Sequence, residues 1–180
     1  MTGHTAKRIP LGTGLVCTGF LMLGLLAAST AWSGQAAGAA PPAQKLSASA
    51  ILVERTDPPQ DLQIPEDFRV CTYEYVIRQV NKTGKFKQVF RSGDKRAQDV
   101  PDLVILRMVP SAYKAGSQKQ REVTTVSGAT SIKFNVQFTD RSGKVLLEKE
   151  VEGKVRFMGE NLNATYDFAK KVGKVVNESF

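Results

Sequence analysis

The densest group of reactive side chains in the sequence is acidic: Glu148, Glu150 and Glu152 occupy every second position. Neighbouring carboxylates can act as general acid and base or hold a hard cation. At this spacing all three project from one face of a strand, where charges are normally just solvated. A hydrolase working through carboxylates alone is therefore the alternative reading and not the leading one.

A second group is basic. Lys114, Lys119 and Arg121 flank Gly116-Ser117 in a polar stretch that begins at Tyr113. Here three cations gather near an aromatic ring outside an expected helix. Tyr113, Lys114, Lys119 and Arg121 are thus the candidate partner-binding residues, suited to an anionic surface. The plainer reading of the same stretch is a solvated hairpin tip. Gly84-Lys85 and Gly143-Lys144 lack the upstream glycine that a phosphate-binding loop requires, and read as a helix stop and a turn. Ser127-Gly128-Ala129-Thr130 suggests close backbone approach or a bulge, not a nucleophile.

Composition removes other chemistries. The 180 residues include one histidine, His4, and two cysteines, Cys17 and Cys71. His4 and Cys17 fall in an N-terminal segment with the layout of a secretory signal peptide, residues 1–31. A basic start (Lys7, Arg8) precedes an uncharged apolar run over 15–28 and a small-residue exit, Ser29-Thr30-Ala31. The apolar run has 14 residues, short of the roughly 20 that span a bilayer. Cys17 stands near the start of that run, after Val16, where lipid attachment is not expected. Cleavage after Ala31 would leave a chain without histidine, excluding Ser-His-Asp triads, Cys-His dyads and histidine-containing zinc sites. No cofactor is expected. Cys71, a lone thiol, reads as a small buried apolar side chain.

The whole chain carries 25 Lys+Arg against 17 Asp+Glu, and loss of residues 1–31 would remove only Lys7 and Arg8. The remaining positive charge suits another envelope protein or an anionic surface component as partner; an exported location makes nucleic acid unexpected. No later run reaches membrane length, so no transmembrane segment is expected in the mature chain. The expected location is the periplasm or the extracellular space, with outer-membrane association as the alternative.

Residues 32–48, rich in Ala, Gly, Pro, Ser and Gln, read as a flexible leader, and 49–180 as a single α/β domain. Residues 50–55 (AILVER) predict a buried strand. Pro65, Glu66 and Asp67 suit a helix start and Gly84 a helix end, and Val70, Tyr73, Ile77 and Val80 recur at helical steps, predicting a helix over 65–82. Strands follow at 86–91 and 102–108. Ile132, Phe134, Val136 and Phe138 alternate with polar residues. Val145, Leu147, Val151, Val155 and Phe157 share the inward parity of a second strand after the turn Asp140-Arg141-Ser142-Gly143, giving a long hairpin with one wet face. A helix over 162–177 closes the chain, with Phe168, Ala169, Val172, Val175 and Val176 as its apolar stripe. The expected fold is α+β: a mixed, largely antiparallel sheet of about five strands with two helices on one face, in the order strand, helix, strand, strand, hairpin, helix.

This order of features, with Val80-Asn81-Lys82-Thr83-Gly84-Lys85-Phe86, Pro101-Asp102-Leu103-Val104-Ile105, Gly128-Ala129 and Asp140-Arg141-Ser142-Gly143-Lys144-Val145-Leu146, resembles an uncharacterised family of exported bacterial proteins, domain of unknown function forty-four ten. More distantly it is similar to the small α/β modules of envelope lipoproteins, such as the curli-export lipoprotein and the amino-terminal domain of TolB. The resemblance implies an exported bacterial domain, periplasmic or secreted and without an established catalytic residue. A non-enzymatic protein-binding or adaptor module of the cell envelope is the leading expectation, and a purely structural periplasmic domain is a further alternative.

Overall fold

The computed structural model describes residues 45–124, 127–157 and 159–180. The expected signal peptide and the leader up to residue 44 lie outside the described residues. The elements run β1 (Ala50–Val53), α1 (Glu66–Thr83), β2 (Gln88–Arg91), β3 (Leu103–Lys114), α2 (Gln118–Val123), β4 (Thr130–Thr139), β5 (Val145–Val155) and α3 (Asn163–Ser179), with a 3-10 turn at Lys95–Asp99. They form one five-stranded sheet in the order β2-β1-β3-β4-β5. β1 pairs parallel with both β2 and β3, while β3, β4 and β5 form an antiparallel meander. The fold is the expected α+β arrangement, with α1 and α3 sharing one apolar core with the sheet.

α1 starts after Pro65, whose φ of −54° is ready for a helix, and ends at Gly84 in the left-handed conformation with φ 66°. Its buried side runs through Phe68, Thr72, Val76, Ile77 and Val80. The expected stripe was rotated from this: Val70 is 43% exposed. Tyr73 is half-buried, and its hydroxyl donates to Val53 O at 3.4 Å at the end of β1 and accepts from Ser92 N–H at 2.8 Å just after β2.

Ile132, Phe134, Val136 and Phe138 all face the helices. The inward parity predicted for the partner strand holds at Val151 and Val155 and fails at its ends, where Val145 and Phe157 are 47% and 65% exposed. A register shift at Phe138/Thr139 brings Thr139 opposite Val145, and the strand stops at Val155, before Phe157. β3 runs six residues beyond the expected end at Met108 because an irregularity between Pro110 and Ala112 absorbs the proline, which has no N–H to give the ladder.

Two features tie the periphery down. Gly153 lets the start of α3 lie directly on β5, since a Cβ there would sit 2.1 Å from Ala164 O and 2.5 Å from Phe168 Cβ. The folded part also begins earlier than Ser49. Leu46 N–H donates to Ser179 O at 2.7 Å and Ala48 packs against the core, so the last residues of the expected leader belong to the domain. On the other face of the sheet, Ala50, Phe90, Ala97 and Leu103 form a small second cluster beneath the 3-10 turn. Arg141 fastens that turn by donating to Ala97 O at 2.6 Å and to Val100 O.

Candidate functional site

The four residues expected to meet a partner are placed in three different environments. Tyr113 is half-buried near the end of β3, edge-on to Phe68 with ring centroids 5.2 Å apart, and burial pushes its hydroxyl above the ordinary tyrosine range, with the Asp67 charge adding to the shift. Lys114 ends that strand and Lys119 lies in α2, both exposed. Arg121 is the correction. Only 3% of it is exposed, so the segment 113–121 is not a solvated loop with three free cations.

Arg121 is held by every N–H it owns. Nε donates to Phe157 O at 3.1 Å, Nη1 to Gly128 O at 2.6 Å and Thr130 Oγ1 at 3.3 Å, and Nη2 to Gly159 O at 2.7 Å and Asn161 Oδ1 at 2.9 Å. Thr130 Oγ1 donates in turn to Asn161 Oδ1 at 3.0 Å. The guanidinium therefore pins α2, the start of β4 and the connection from β5 to α3 into one corner. Its acceptors are three carbonyls, a hydroxyl and an amide oxygen, all neutral. The glycines seen in the sequence serve this packing: a Cβ on Gly116 would meet Gly128 O at 2.3 Å, and one on Gly128 would meet Ser117 O at 2.6 Å. Ser127-Gly128-Ala129-Thr130 is thus a close backbone approach, as its composition suggested.

The acidic row sits where its spacing put it, on the face of the sheet away from α1 and α3. Glu148 accepts from Asn135 Nδ2 and, at 3.1 Å, from Gln137 Nε2; Glu150 lies 3.4 Å from Lys133 Nζ; Glu152 is 2.5 Å from Lys154 Nζ. Each carboxylate answers a different neighbour. Among the described residues no group of three His, Cys, Asp or Glu could hold a metal ion. Cys71 is a half-buried free thiol on α1. Thr72 Oγ1 and Arg69 Nε, both buried and without a protein partner, are closest to a cavity of about 30 Å³ at the end of β1. That volume suits a water and is far below the several hundred Å³ of a ligand pocket.

A cationic and aromatic surface does exist, on the helices. The seam where α1 and α3 cross bears an open groove of about 300 Å³ lined by Gln79, Lys82, Thr83, Lys170, Gly173, Lys174 and Asn177. Beside it Tyr75 and Tyr166 meet edge to face at 5.7 Å, with Arg78 Cζ 5.6 Å from the first ring and Lys170 Nζ 5.8 Å from the second. The signal was legible as helical spacing, Tyr75 to Arg78 three apart and Tyr166 to Lys170 four apart. A criterion confined to strands and loops passes over such pairs.

The two edges of the sheet differ in sign. Lys85, Lys87, Arg91 and Arg96 surround β2, beside an open groove of about 440 Å³ lined by Gln88, Val89, Phe90 and Arg96. On β5, α3 seals the second half of the edge: Asp167 accepts from Lys154 N–H at 2.9 Å and Lys171 Nζ donates to Glu152 O at 2.8 Å. By the same strand alternation, Glu148 and Glu150 turn their backbone groups outward short of the register shift, and among the described residues no helix side chain bonds them.

No protein-family model and no curated protein matches the sequence. Solved PelC structures share its fold. A PelC dodecamer from Paraburkholderia phytofirmans superposes with a TM-score of 0.53 at 11% identity, covering 72% of this chain and 91% of that one. A single-substitution variant of the same dodecamer gives 0.50 at 14% identity, covering 78% and 95%. A Xanthomonas campestris protein of the DUF330 family gives 0.40 at 13%, covering 77% and 85%. At these identities the PelC likeness shows the fold alone. Among the described residues no helix is long and apolar enough to cross a membrane.

Proposed function

We propose that the protein is an exported, non-enzymatic binding module of the bacterial envelope whose first partner is another copy of itself. The export-signal layout and the resemblance to an exported family support the location. The observation that carries the function is the pair of open sheet edges with opposite charge. The first half of β5 carries Glu148 and Glu150, with Lys149 between them, beside backbone groups that no described residue bonds, and Lys85 and Lys87 lie just before β2. Joining like edges would set acid against acid or base against base, which destabilises a strand pair, whereas joining β5 to β2 sets acid against base. Such a contact is head-to-tail, and it closes into a ring or grows as a filament. The PelC dodecamers show that one protein of this fold assembles in many copies.

Charge exchange tests it. The full chain, measured by light scattering after size exclusion, is expected to be oligomeric. Glu148→Lys with Glu150→Lys should dissociate it, and adding Lys85→Glu with Lys87→Glu should restore it. A monomer at every concentration, or an oligomer indifferent to both exchanges, refutes the reading.

A further inference from the structure

We propose that the groove between α1 and α3 binds an acidic saccharide. The proposal stands on the helix layer and does not depend on assembly through the sheet edges.

Both helices bury one stripe, which leaves Arg78 and Lys82 on α1, and Lys170 and Lys174 on α3, on the outward side at four-residue steps. Gly173 forms the floor between them. A Cβ there would lie 3.5 Å from Gln79 Cβ, so the helices come close at this point and the missing side chain keeps a channel open above them. The side chains around it end in polar groups on aliphatic stems: the ammonium groups of Lys82, Lys170 and Lys174, the carboxamides of Gln79 and Asn177, and the Thr83 hydroxyl.

Charge accounting leaves most of this positive potential free. Glu178 is shared between Lys174 at 3.7 Å and Lys149 at 3.8 Å, and Glu74 is taken by Arg91 at 2.5 and 2.8 Å. Lys82 and Lys170 lie in no ion pair among the described residues. Ammonium groups fit carboxylates, carboxamides both donate to and accept from sugar hydroxyls, and the Tyr75–Tyr166 pair offers aromatic surface at the groove's end. A membrane-docking face would present exposed Leu, Phe or Trp beside its lysines, and the groove lining contains none.

Binding of oligogalacturonate to the full chain, with the matching neutral galactose oligomer and phosphatidylglycerol vesicles as the other arms, tests this. The acidic oligomer should bind and the neutral one should not. The triple variant Lys82→Gln/Lys170→Gln/Lys174→Gln should weaken binding about tenfold or more, equivalent to about 1.4 kcal/mol, with an unchanged melting temperature. Added salt should weaken the wild type more than the triple variant. Gly173→Leu fills the groove while keeping every lysine, so a folded Gly173→Leu chain that loses the oligomer assigns binding to the groove. If Gly173→Leu does not fold, the triple variant decides alone. Binding to the vesicles without binding to oligogalacturonate, or equal oligomer binding by the triple variant, overturns the proposal.

Discussion

Arg121 and the lysines of the α1–α3 seam carry the same charge to opposite fates. Arg121 is 3% exposed, with its N–H groups on neutral oxygens from α2's flank, β4 and the loop before α3. Lys82, Lys170 and Lys174 stand in solvent along a groove. The difference follows from the head groups. A guanidinium is a rigid fork of five donors that can organise several loops at once, whereas an ammonium is a compact, strongly hydrated point charge on a flexible stem. Counting where the donors end therefore separates a cation that builds the fold from one available to a partner.

The sharpest way to break that contrast is Arg121→Ala. It takes the donor from five neutral acceptors, four of them part-buried, and should cost about 2–4 kcal/mol, read as a lower urea midpoint, since a buried polar group left unsatisfied costs about 1–3 kcal/mol and the packing of the arginine stem is lost with it. Arg121→Lys should recover only part, because three donors cannot reach five acceptors. A wild-type midpoint for either variant would mean that the corner is held by something else. Asp167→Ala should cost less, about 1–2 kcal/mol, by releasing Lys154 N–H and Lys171 from the β5 edge.

Acid sensitivity separates exposed pairs from the buried pin. The Glu74 carboxyl lies below its ordinary value of 4.5 because Arg91 donates to it. A lowered folded-state value adds stability that is fully present above that ordinary value and is lost as pH falls through the lower one. Glu74→Gln should therefore narrow its gap to wild type in that acid window and nowhere else. Arg121→Ala should remain destabilised at every pH where the protein folds. A parallel loss with pH in the two variants would contradict the division. Gly173→Ala is the smallest expected change: a gain of about 0.5–1 kcal/mol in thermal stability, because the site has room for a Cβ and a helix interior disfavours glycine.

Much of the scaffold was legible because its periodicities are local. The alternation of Ile132, Phe134, Val136 and Phe138, the cap at Gly84 and the stripe of α3 each depend on neighbours within a few positions. What was missed depends on distant partners. The rotation of α1 away from Val70 is set by the sheet beneath it, the length of β3 by an irregularity that hides Pro110, and the short α2 by the corner that Arg121 organises. The correction at Arg121 has the same reason. Lys114, Lys119 and Arg121 look alike as letters, and only the carbonyls of Phe157 and Gly159, far along the chain, single one of them out.

The sheet order has a kinetic consequence. β1 is a four-residue strand in the interior of the sheet, and both of its partners lie far along the chain, on the other side of α1 and of the 3-10 turn. β3, β4 and β5 instead meet through near neighbours, and α3 settles on β5 through Gly153. Because closing long loops is slow, the meander and its terminal helix should order first and supply the template on which β1 is threaded. Conservative truncations such as Val136→Ala should then slow refolding, whereas Ile51→Val should chiefly speed unfolding.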